Sequence, residues 1–201
     1  NDGELIVFTA GTLNTPASDY NYQRLAVASL ITPQNIDGII FITGPQILNV
    51  SYDYLESYLK SFAPIPVVSV GCKLGDFPYV SSDCRESITE LIEHLIIKHN
   101  RKNIALLTGN VNSRDIIERT QIYKEVLEKH NLSWKDKIIN CEELVYGPAI
   151  NHLEKYFEKN TKIKFDAIIC LNDEIATACI HFFSQKGIKI PEKVLITGFD
   201  D

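Results

Sequence analysis

The sequence contains no methionine and none of the common signatures of nucleotide-binding or hydrolytic enzymes. Its ten glycines never occur as GxG, which excludes the dinucleotide fingerprint, and no GxxxxGK[ST] phosphate loop is present. The HExxH and GxSxG patterns of metalloproteases and α/β hydrolases are also absent. These absences remove the usual reasons to predict an enzyme, and the missing initiator methionine predicts that the sequence is a piece of a longer protein.

Clustered positive charge and long apolar segments are also missing. The net charge is −6, and no block of Lys and Arg could neutralise a series of phosphates, so nucleic acid binding by this chain alone is not expected. The longest apolar stretches, such as residues 39–42 and 104–107, are too short to cross a bilayer. No signal peptide opens the sequence, and we therefore expect a cytoplasmic protein with no membrane partner.

The cysteines form no recognisable framework. There are five of them, an odd number, and no two occur as CxxC. We expect reduced thiols in a cytoplasmic protein and no structural zinc site, because no ligand pair has the close spacing that such a site needs. The five are Cys72, Cys84, Cys141, Cys170 and Cys179.

Short apolar runs alternate with helical patterns along the whole chain. Residues 38–42 (GIIFI) are continuously apolar, which predicts a strand buried on both faces, and residues 4–9 (ELIVFT) predict another. A helix capped by Ser18 or Asp19 is predicted to run through Leu30. This alternation is typical of α/β folds with doubly wound parallel sheets, in which ligands bind at the carboxyl ends of strands. The other predicted helices are 52–62, 85–99, 114–130, 149–157 and 173–186, and the other strands are 67–70, 103–107, 137–139, 166–171 and 194–197.

Residues 165–201 combine two landmarks in a fixed order. An apolar strand is followed by Asn-Asp and a helix, and after a glycine turn and Ile-Pro-Glu a second strand leads to Gly-Phe-Asp-Asp. This order resembles the lac-repressor family of sugar- and purine-responsive regulators. Residues 100–109 and 114–132, the latter with a Glu-Arg pair, are similar to the strand and helix that open the family's second lobe. The resemblance covers about residues 36–201.

The resemblance implies a two-lobed, periplasmic-binding-protein-like fold in which each lobe is a parallel sheet flanked by helices and the lobes close around a small ligand. It places residues 1–103 in the first lobe and residues 104–201 in the second. The family's opening strand–helix unit, its returning C-terminal strands and its DNA-binding headpiece have no counterpart in the sequence. We therefore expect a sensor truncated at both ends, and the resemblance alone implies a homodimer.

The resemblance assigns a ligand-binding role to Arg119, which follows Glu118 in the predicted helix 114–130. The family uses the matching arginine to reach into the cleft, and a guanidinium offers five donors in a rigid fork that suits hydroxyls or a carboxylate. From the residues alone, a solvated arginine paired with a neighbouring acid is the competing interpretation.

Polar residues follow two further strands of the second lobe. Asn172 and Asp173 lie between a predicted strand and a helix, where one of them is expected to cap the helix and the other could face a ligand. Asp200 and Asp201 follow the last strand. The resemblance implies that Asp200 accepts hydrogen bonds from the ligand, whereas the alternative is a pair of exposed turn carboxylates.

Aromatic and acidic residues elsewhere have simpler interpretations. Tyr146 lies where the family often places a ring that stacks on the ligand, but the match needs a gap, so Leu144 is an equal candidate and a core tyrosine is the favoured reading. Asp83 is expected to cap the following helix, and Trp134 to pack on the surface.

Two classes of function fit these observations. The first is a cytoplasmic sensor of a small polar metabolite, a sugar or purine-like molecule, without cofactor or metal. It would control an attached output: DNA binding through a segment absent from the sequence, or a cyclase or kinase module. The second is an α/β enzyme that uses Asp173 and Asp200 as acid and base. We predict the sensor, and the free cysteines disfavour a third class, an exported solute-binding protein.

Overall fold

The residues that the structure describes form seven strands, all parallel, in two sheets. The structure is a computed structural model, and it describes residues 3–8, 13, 26–44, 50–109, 114–141, 143–159 and 164–200. The chain divides into two compact units, Asn1–Ser82 and Asp83–Asp201. Each unit contains one parallel sheet with helices, so the predicted α/β class is confirmed.

The first unit is built around a three-stranded sheet. Strand β1 (Ile39–Ile42) is followed by helix α1 (Tyr52–Lys60), strand β2 (Val67–Val70) and the two-residue strand β3 (Tyr79–Val80), which the sequence did not predict. The strand order is β1-β2-β3. The connection between β2 and β3 is too short to contain a crossover helix. The prediction was based on strands that alternate with helices, and it therefore did not include β3.

The sequence of α1 accounts for its start and its buried face. The Ser51 hydroxyl accepts a hydrogen bond from the Tyr54 backbone N–H (3.2 Å) and caps the first turn. Leu55 and Leu59 lie one turn apart and are buried in one cluster with Val67 of β2. The predicted helix 52–62 is therefore confirmed, with its end two residues earlier than expected.

Two predictions for the first unit are wrong. The strand at residues 38–42 was expected to be buried on both faces, but Ile40 and Ile42 are 68% and 66% exposed, because side chains alternate along β1 and the cluster around Leu55 covers only one face. Residues 3–8 form no strand, and Leu5 is 82% exposed. Apolar content alone does not supply the hydrogen-bonding partner that a strand needs. The start of the helix predicted from Ser18 or Asp19 lies outside the described residues.

The second unit follows the predicted alternation closely. Its sheet has the order β5-β4-β6-β7, so the chain winds outward from β4 in both directions, as a doubly wound sheet requires. The elements are α2 (Arg85–Ile97), β4 (Ile104–Thr108), α3 (Arg114–Lys129), β5 (Ile138–Asn140), α4 (Tyr146–Lys159), β6 (Ala167–Cys170), α5 (Asp173–Gln185) and β7 (Leu195–Thr197).

Alternating residues of β4 serve two separate cores. Ala105 and Leu107 are buried in a cluster with α4 and α5, whereas Ile104 and Leu106 are buried in a cluster with α2 and α3. All four side chains are 0% exposed. Because both faces of the sheet are covered, the central strands read as continuous apolar runs rather than as alternating ones.

Helix α2 belongs to the second unit, although the expected lobe boundary after residue 103 placed it in the first. Ile88 and Ile92 of α2 are buried in the same cluster as α3, and Arg85 forms an ion pair with Glu125 of α3 (2.7 Å). The structure therefore divides the chain before α2 rather than after it. The assignment of the two units to functional lobes stays a prediction.

The register of the sheet brings the carboxyl ends of its strands to one edge. Thr108 at the end of β4 lies opposite Asn140 of β5, and Thr197 at the end of β7 lies opposite Ile169 of β6. Among the described helices, none combines the length and apolar composition needed to cross a membrane.

Candidate ligand site at the carboxyl edge of the second sheet

Arg119 lies on the buried stripe of α3. It is three residues after Ile116 and four before Tyr123, both of which are buried, so helical periodicity turns its side chain toward the sheet. Its Nη1–H donates to the Leu171 carbonyl just beyond β6 (2.8 Å), and its guanidinium carbon lies 3.8 Å from the centre of the Phe199 ring. None of the ion pairs among the described residues involves Arg119, so the alternative of a surface arginine paired with an acid does not hold.

One donor of this guanidinium is buried without a protein partner. The Nε atom of Arg119 is shielded from solvent, and no described residue accepts its hydrogen bond. A buried N–H without an acceptor costs about 1–3 kcal/mol, so this atom marks a place where an acceptor fits. In a guanidinium, Nε and Nη2 share one planar edge, which suits paired oxygen acceptors. Burial raises the pKa of the neighbouring Cys84 thiol, and Arg119 partly offsets that effect.

Two threonine hydroxyls at the same edge are also buried and unpartnered among the described residues. They belong to Thr108, the last residue of β4, and Thr197, the last residue of β7. Strand alternation places both on the face that packs against α3, because Leu106 and Leu195, two residues earlier, lie in that cluster. Thr197 was not predicted as a site residue, although its position at the end of a predicted strand is a signal that could have identified it.

Both polar atoms of the Asn172 side chain form hydrogen bonds within the protein. Its Oδ1 accepts a hydrogen bond from the Ile175 backbone N–H and caps α5, and its Nδ2 donates to the Leu144 carbonyl, each at 2.9 Å. The capping interpretation is therefore confirmed. Because both ends of the amide are engaged, Asn172 supports the site by joining the end of β6 to the loop after β5, and its contact with ligand stays a prediction.

Asp173 packs directly against the segment that follows β7. A Cβ atom built on Gly198 would lie only 1.8 Å from Oδ1 of Asp173, so glycine is needed for this close approach. Two residues further, Asp200 is exposed and has φ +115°, a strained conformation for a residue other than glycine. Such strain recurs at ligand sites. Asp201 lies outside the described residues.

Tyr146, the first residue of α4, is bound to α5 rather than to the Arg119 region. Its backbone N–H donates to Oε1 of Glu174 (3.0 Å), and its hydroxyl is hydrogen-bonded to Nδ1 of His181. His181 lies about two turns beyond the start of α5. The ring packs on the edge of the core cluster, as the core interpretation expected, and the ligand role of Tyr146 stays a prediction.

Leu144, the alternative to Tyr146, contacts the carboxyl edge of the sheet. A Cβ on Gly109, the residue after β4, would lie 2.7 Å from Cγ of Leu144, and the Leu144 carbonyl accepts the Asn172 amide. Leu144 therefore links the loops that follow β4, β5 and β6. Leu144 is the better placed of the two candidates for an apolar contact at this edge.

Asp83 and Trp134 were predicted to have structural roles. The N-cap residue of α2 is Cys84, without a side-chain cap hydrogen bond, so Asp83 lies one position before the cap that it was expected to form. Oδ1 of Asp83 accepts a hydrogen bond from the Arg85 backbone N–H at the start of α2 (3.0 Å). Trp134 packs beside Lys124 and donates from Nε1 to Glu128 (2.7 Å). Trp134 is half-buried and also packs against the core cluster of α2 and α3.

The five cysteines are buried free thiols, as expected. Burial raises the pKa of Cys141 to about 12, and a hydrogen bond with Cys179, together with burial, raises the pKa of Cys170. Because the thiolate is the reactive form of cysteine, Cys141 and Cys170 act as small core hydrophobes.

Two open cavities beside α4 lie away from the Arg119 region. Their volumes are about 520 and 560 Å³, both are lined in part by Tyr156, and none of the predicted ligand residues lines either. No three His, Cys, Asp or Glu side chains cluster as a metal site within the part of the chain that the structure describes. The Arg119 region shows buried polar atoms without a protein partner at the carboxyl edge of the sheet, and its role as a ligand site stays a prediction.

Comparison with known proteins identifies this arrangement. A family model described as periplasmic binding proteins and sugar binding domain of LacI family matches residues 13–200. The chain belongs to this family. The resemblance inferred from residues 165–201 is thereby confirmed.

Relatives of this LacI-family domain are transcription regulators. Catabolite control protein A of Priestia megaterium is 29% identical over 188 residues, which are 92% of this chain and 54% of the relative. The HTH-type transcriptional regulator AscG of Escherichia coli is 30% identical over 152 residues, 75% of this chain and 44% of the relative. The chain thus spans about half the length of the curated relatives that it matches.

A solved LacI-family structure confirms the fold. The LacI family transcriptional regulator from Mycobacterium smegmatis is 18% identical and superposes with a TM-score of 0.73 over 90% of this chain and 63% of its own. At this identity the similarity concerns the fold alone, and it agrees with parallel sheets flanked by helices in both units.

Proposed function

We propose that this chain is the small-molecule sensing domain of a cytoplasmic transcription regulator, and that it binds a sugar or purine-like metabolite without chemical turnover. The observation that carries the proposal is the buried Nε–H of Arg119, which has no acceptor among the described residues. The unpartnered hydroxyls of Thr108 and Thr197 lie at the same edge. Donors of this kind fit a ligand rich in oxygen atoms, and membership of a family of sugar-binding domains supports a sugar over a purine.

The proposed ligand contacts divide by charge. Arg119 donates to ligand oxygens from its Nε–Nη2 edge, while the carboxylates of Asp173 and Asp200 accept hydrogen bonds from ligand hydroxyls. Asn172 holds the start of α5 in place, and a ligand contact of Tyr146 is proposed on the family resemblance alone. If all three residues contact the ligand, this division favours a neutral, hydroxyl-rich ligand over a strongly anionic one, because the proposed contacts include two carboxylates and a single guanidinium.

Ligand binding would act by shifting an equilibrium between arrangements of the regulator, to the extent that the ligand binds one arrangement more tightly. We propose that DNA binding is carried by a segment outside this chain, since a net charge of −6 without a block of Lys and Arg disfavours phosphate binding by these residues. A homodimer is proposed on family membership. The relatives are regulators, so we propose that Asp173 and Asp200 bind ligand and are not the acid and base of an enzyme.

The proposal is tested by a thermal-shift screen of sugars, sugar phosphates, nucleosides and purines, repeated with Arg119→Ala. A ligand at a hundred times its dissociation constant stabilises the folded protein by about 2.7 kcal/mol, which raises the melting temperature by roughly 5–10 °C. The matched control is Arg85→Ala, which removes an exposed arginine whose partner is Glu125. We expect the response to be lost in Arg119→Ala and kept in Arg85→Ala.

Two results would contradict the proposal. If a compound stabilises the wild type and Arg119→Ala equally, the site lies elsewhere. If chromatography of the incubated mixture shows that the stabilising compound is converted to product, the chain is an enzyme. That result would support Asp173 and Asp200 as its acid and base.

A further inference from the structure

The rings of His94 and His99 meet at the end of α2. Their Nε2 atoms are 3.0 Å apart, the ring centres are 4.8 Å apart, and both side chains are exposed. The two residues are five positions apart in the sequence, a spacing that does not bring side chains together within a straight helix. The turn that terminates α2 creates the contact.

This turn is fixed by several backbone hydrogen bonds. The N–H groups of Lys98 and His99 both donate to the His94 carbonyl (2.9 and 3.3 Å), and the Arg101 N–H donates to the Leu95 carbonyl (3.0 Å). Asn100 closes the helix with φ +49°, the left-handed conformation of a helix C-terminus. Two imidazoles held on one fixed turn lose little conformational entropy when they bind a common partner.

The separation of the two nitrogens matches the geometry of a metal chelate. Imidazole nitrogens bind transition-metal ions at about 2.0–2.1 Å, so two nitrogens 3.0 Å apart subtend an angle of about 95° at the ion. That angle corresponds to adjacent ligand positions around a square-planar or octahedral ion, the geometries that Ni²⁺ and Cu²⁺ prefer. Two nitrogens bound to a tetrahedral ion would instead lie about 3.4 Å apart. The carboxyl end of a helix dipole also favours a cation.

We propose that His94 and His99 form a two-histidine chelate site for a divalent ion of the nickel or copper type. Each ring uses Nε2 as a ligand and carries its proton on Nδ1, and water fills the other coordination positions. The site precedes β4, so it lies at the amino edge of the second sheet, opposite the edge that carries Thr108. It is independent of the proposed sugar site, and no third protein ligand is required.

The experiment is a calorimetric titration of the tag-free chain with Ni²⁺, chosen because Cu²⁺ oxidises thiols and this chain has five. The variants are His94→Gln and His99→Gln, and the control is His152→Gln, which removes a histidine of α4. We expect the wild-type chain to bind one Ni²⁺. His94→Gln and His99→Gln should each bind Ni²⁺ about 100-fold more weakly, because only one imidazole ligand remains. His152→Gln should bind Ni²⁺ as tightly as the wild type. Zn²⁺ should bind more weakly than Ni²⁺.

Circular dichroism of the metal-free variants checks that they are folded, which the exposure of both rings predicts. X-ray absorption at the nickel edge of the wild type gives a second measurement, with two imidazole nitrogens expected and oxygen atoms in the other positions. Saturable Ni²⁺ binding that survives in folded His99→Gln, a spectrum without two imidazoles, or no saturable binding to the wild type would each overturn the assignment.

Discussion

The guanidinium of Arg119 lies on the ring of Phe199, with 3.8 Å between its central carbon and the ring centre. The hydrogen bond from Nη1 to the Leu171 carbonyl fixes the rotation of the same group. Residues from α3, from the end of β6 and from the segment after β7 thus orient one side chain. A donor that is oriented before the ligand arrives loses less entropy on binding.

Phe199→Leu should weaken ligand binding while keeping most of the apolar volume. A cation–π contact of this kind is worth about 1 kcal/mol, so we expect roughly fivefold weaker binding of the compound that gives the largest thermal shift. Isothermal titration calorimetry measures the change. The control is Phe157→Leu, on the opposite face of the sheet, which should lower stability without altering affinity. Equal affinities of Phe199→Leu and the wild type would show that the ring does not position Arg119.

Asn172→Ala should lower the free energy of unfolding by about 2 kcal/mol, because it removes the cap of α5 and the bond to the Leu144 carbonyl. Urea denaturation monitored by circular dichroism gives the value. Asn151→Ala, at an exposed position of α4, is the control and should change stability by less than about 0.5 kcal/mol. Similar values for the two variants would argue against the capping role.

Gly198→Ala should disturb both stability and ligand response. The new methyl group would meet Oδ1 of Asp173, so either the carboxylate or the segment after β7 must move, at a cost of about 1–3 kcal/mol. Gly38→Ala is the control, since a Cβ there would make only ordinary contacts, the nearest at 3.7 Å from the Pro66 carbonyl oxygen. We expect that variant to be as stable as the wild type or slightly more so. A Gly198→Ala protein with wild-type melting and ligand response would rule out the close contact.

Glu93 should make the stability of the second unit depend on pH. Hydrogen bonds from Lys129 (2.8 Å) and His130 (3.1 Å) hold the pKa of the Glu93 carboxyl below its usual value. Because the pKa is lower in the folded state, this contribution is present above the unfolded pKa and is lost as the pH falls through the folded pKa.

Glu93→Gln should therefore have a lower urea midpoint than the wild type at pH 7, and the two midpoints should converge as the pH falls toward 3. Glu90→Gln, at an exposed position of the same helix, is the control, because Glu90 takes part in none of the ion pairs among the described residues. A difference of equal size at both pH values would show that Glu93 acts through packing rather than charge.

Most helices and strands of the second unit could be predicted because local patterns decide them. The apolar stripe of α3 and the Asn172 cap depend on neighbours within about one helical turn. The wrong predictions concern features that depend on segments distant in the sequence. Residues 3–8 have the composition of a strand but lack a partner, and the exposure of Ile40 depends on which elements cover the sheet.

The candidate site was predictable only in part. Arg119, Asn172, Asp173 and Asp200 could be placed by resemblance, since each follows a recognisable pattern. Their individual roles could not, because a capping asparagine and a ligand-binding asparagine occupy the same position in a sequence. The ligand assignments of all four, and of Tyr146, stay predictions that the variants above test.

The sequence by itself determined the α/β alternation, the family and the segments that carry polar groups at strand ends, because these depend on periodicity and on short motifs. Only the tertiary structure decided that Arg119 lies on Phe199, that Thr108 and Thr197 share one face, and that His94 meets His99 across a turn. Each of these contacts depends on strand register or on the path of a loop. The first two contacts are set by packing between distant segments, which no local pattern encodes, whereas the third depends on the turn after α2 and its backbone hydrogen bonds.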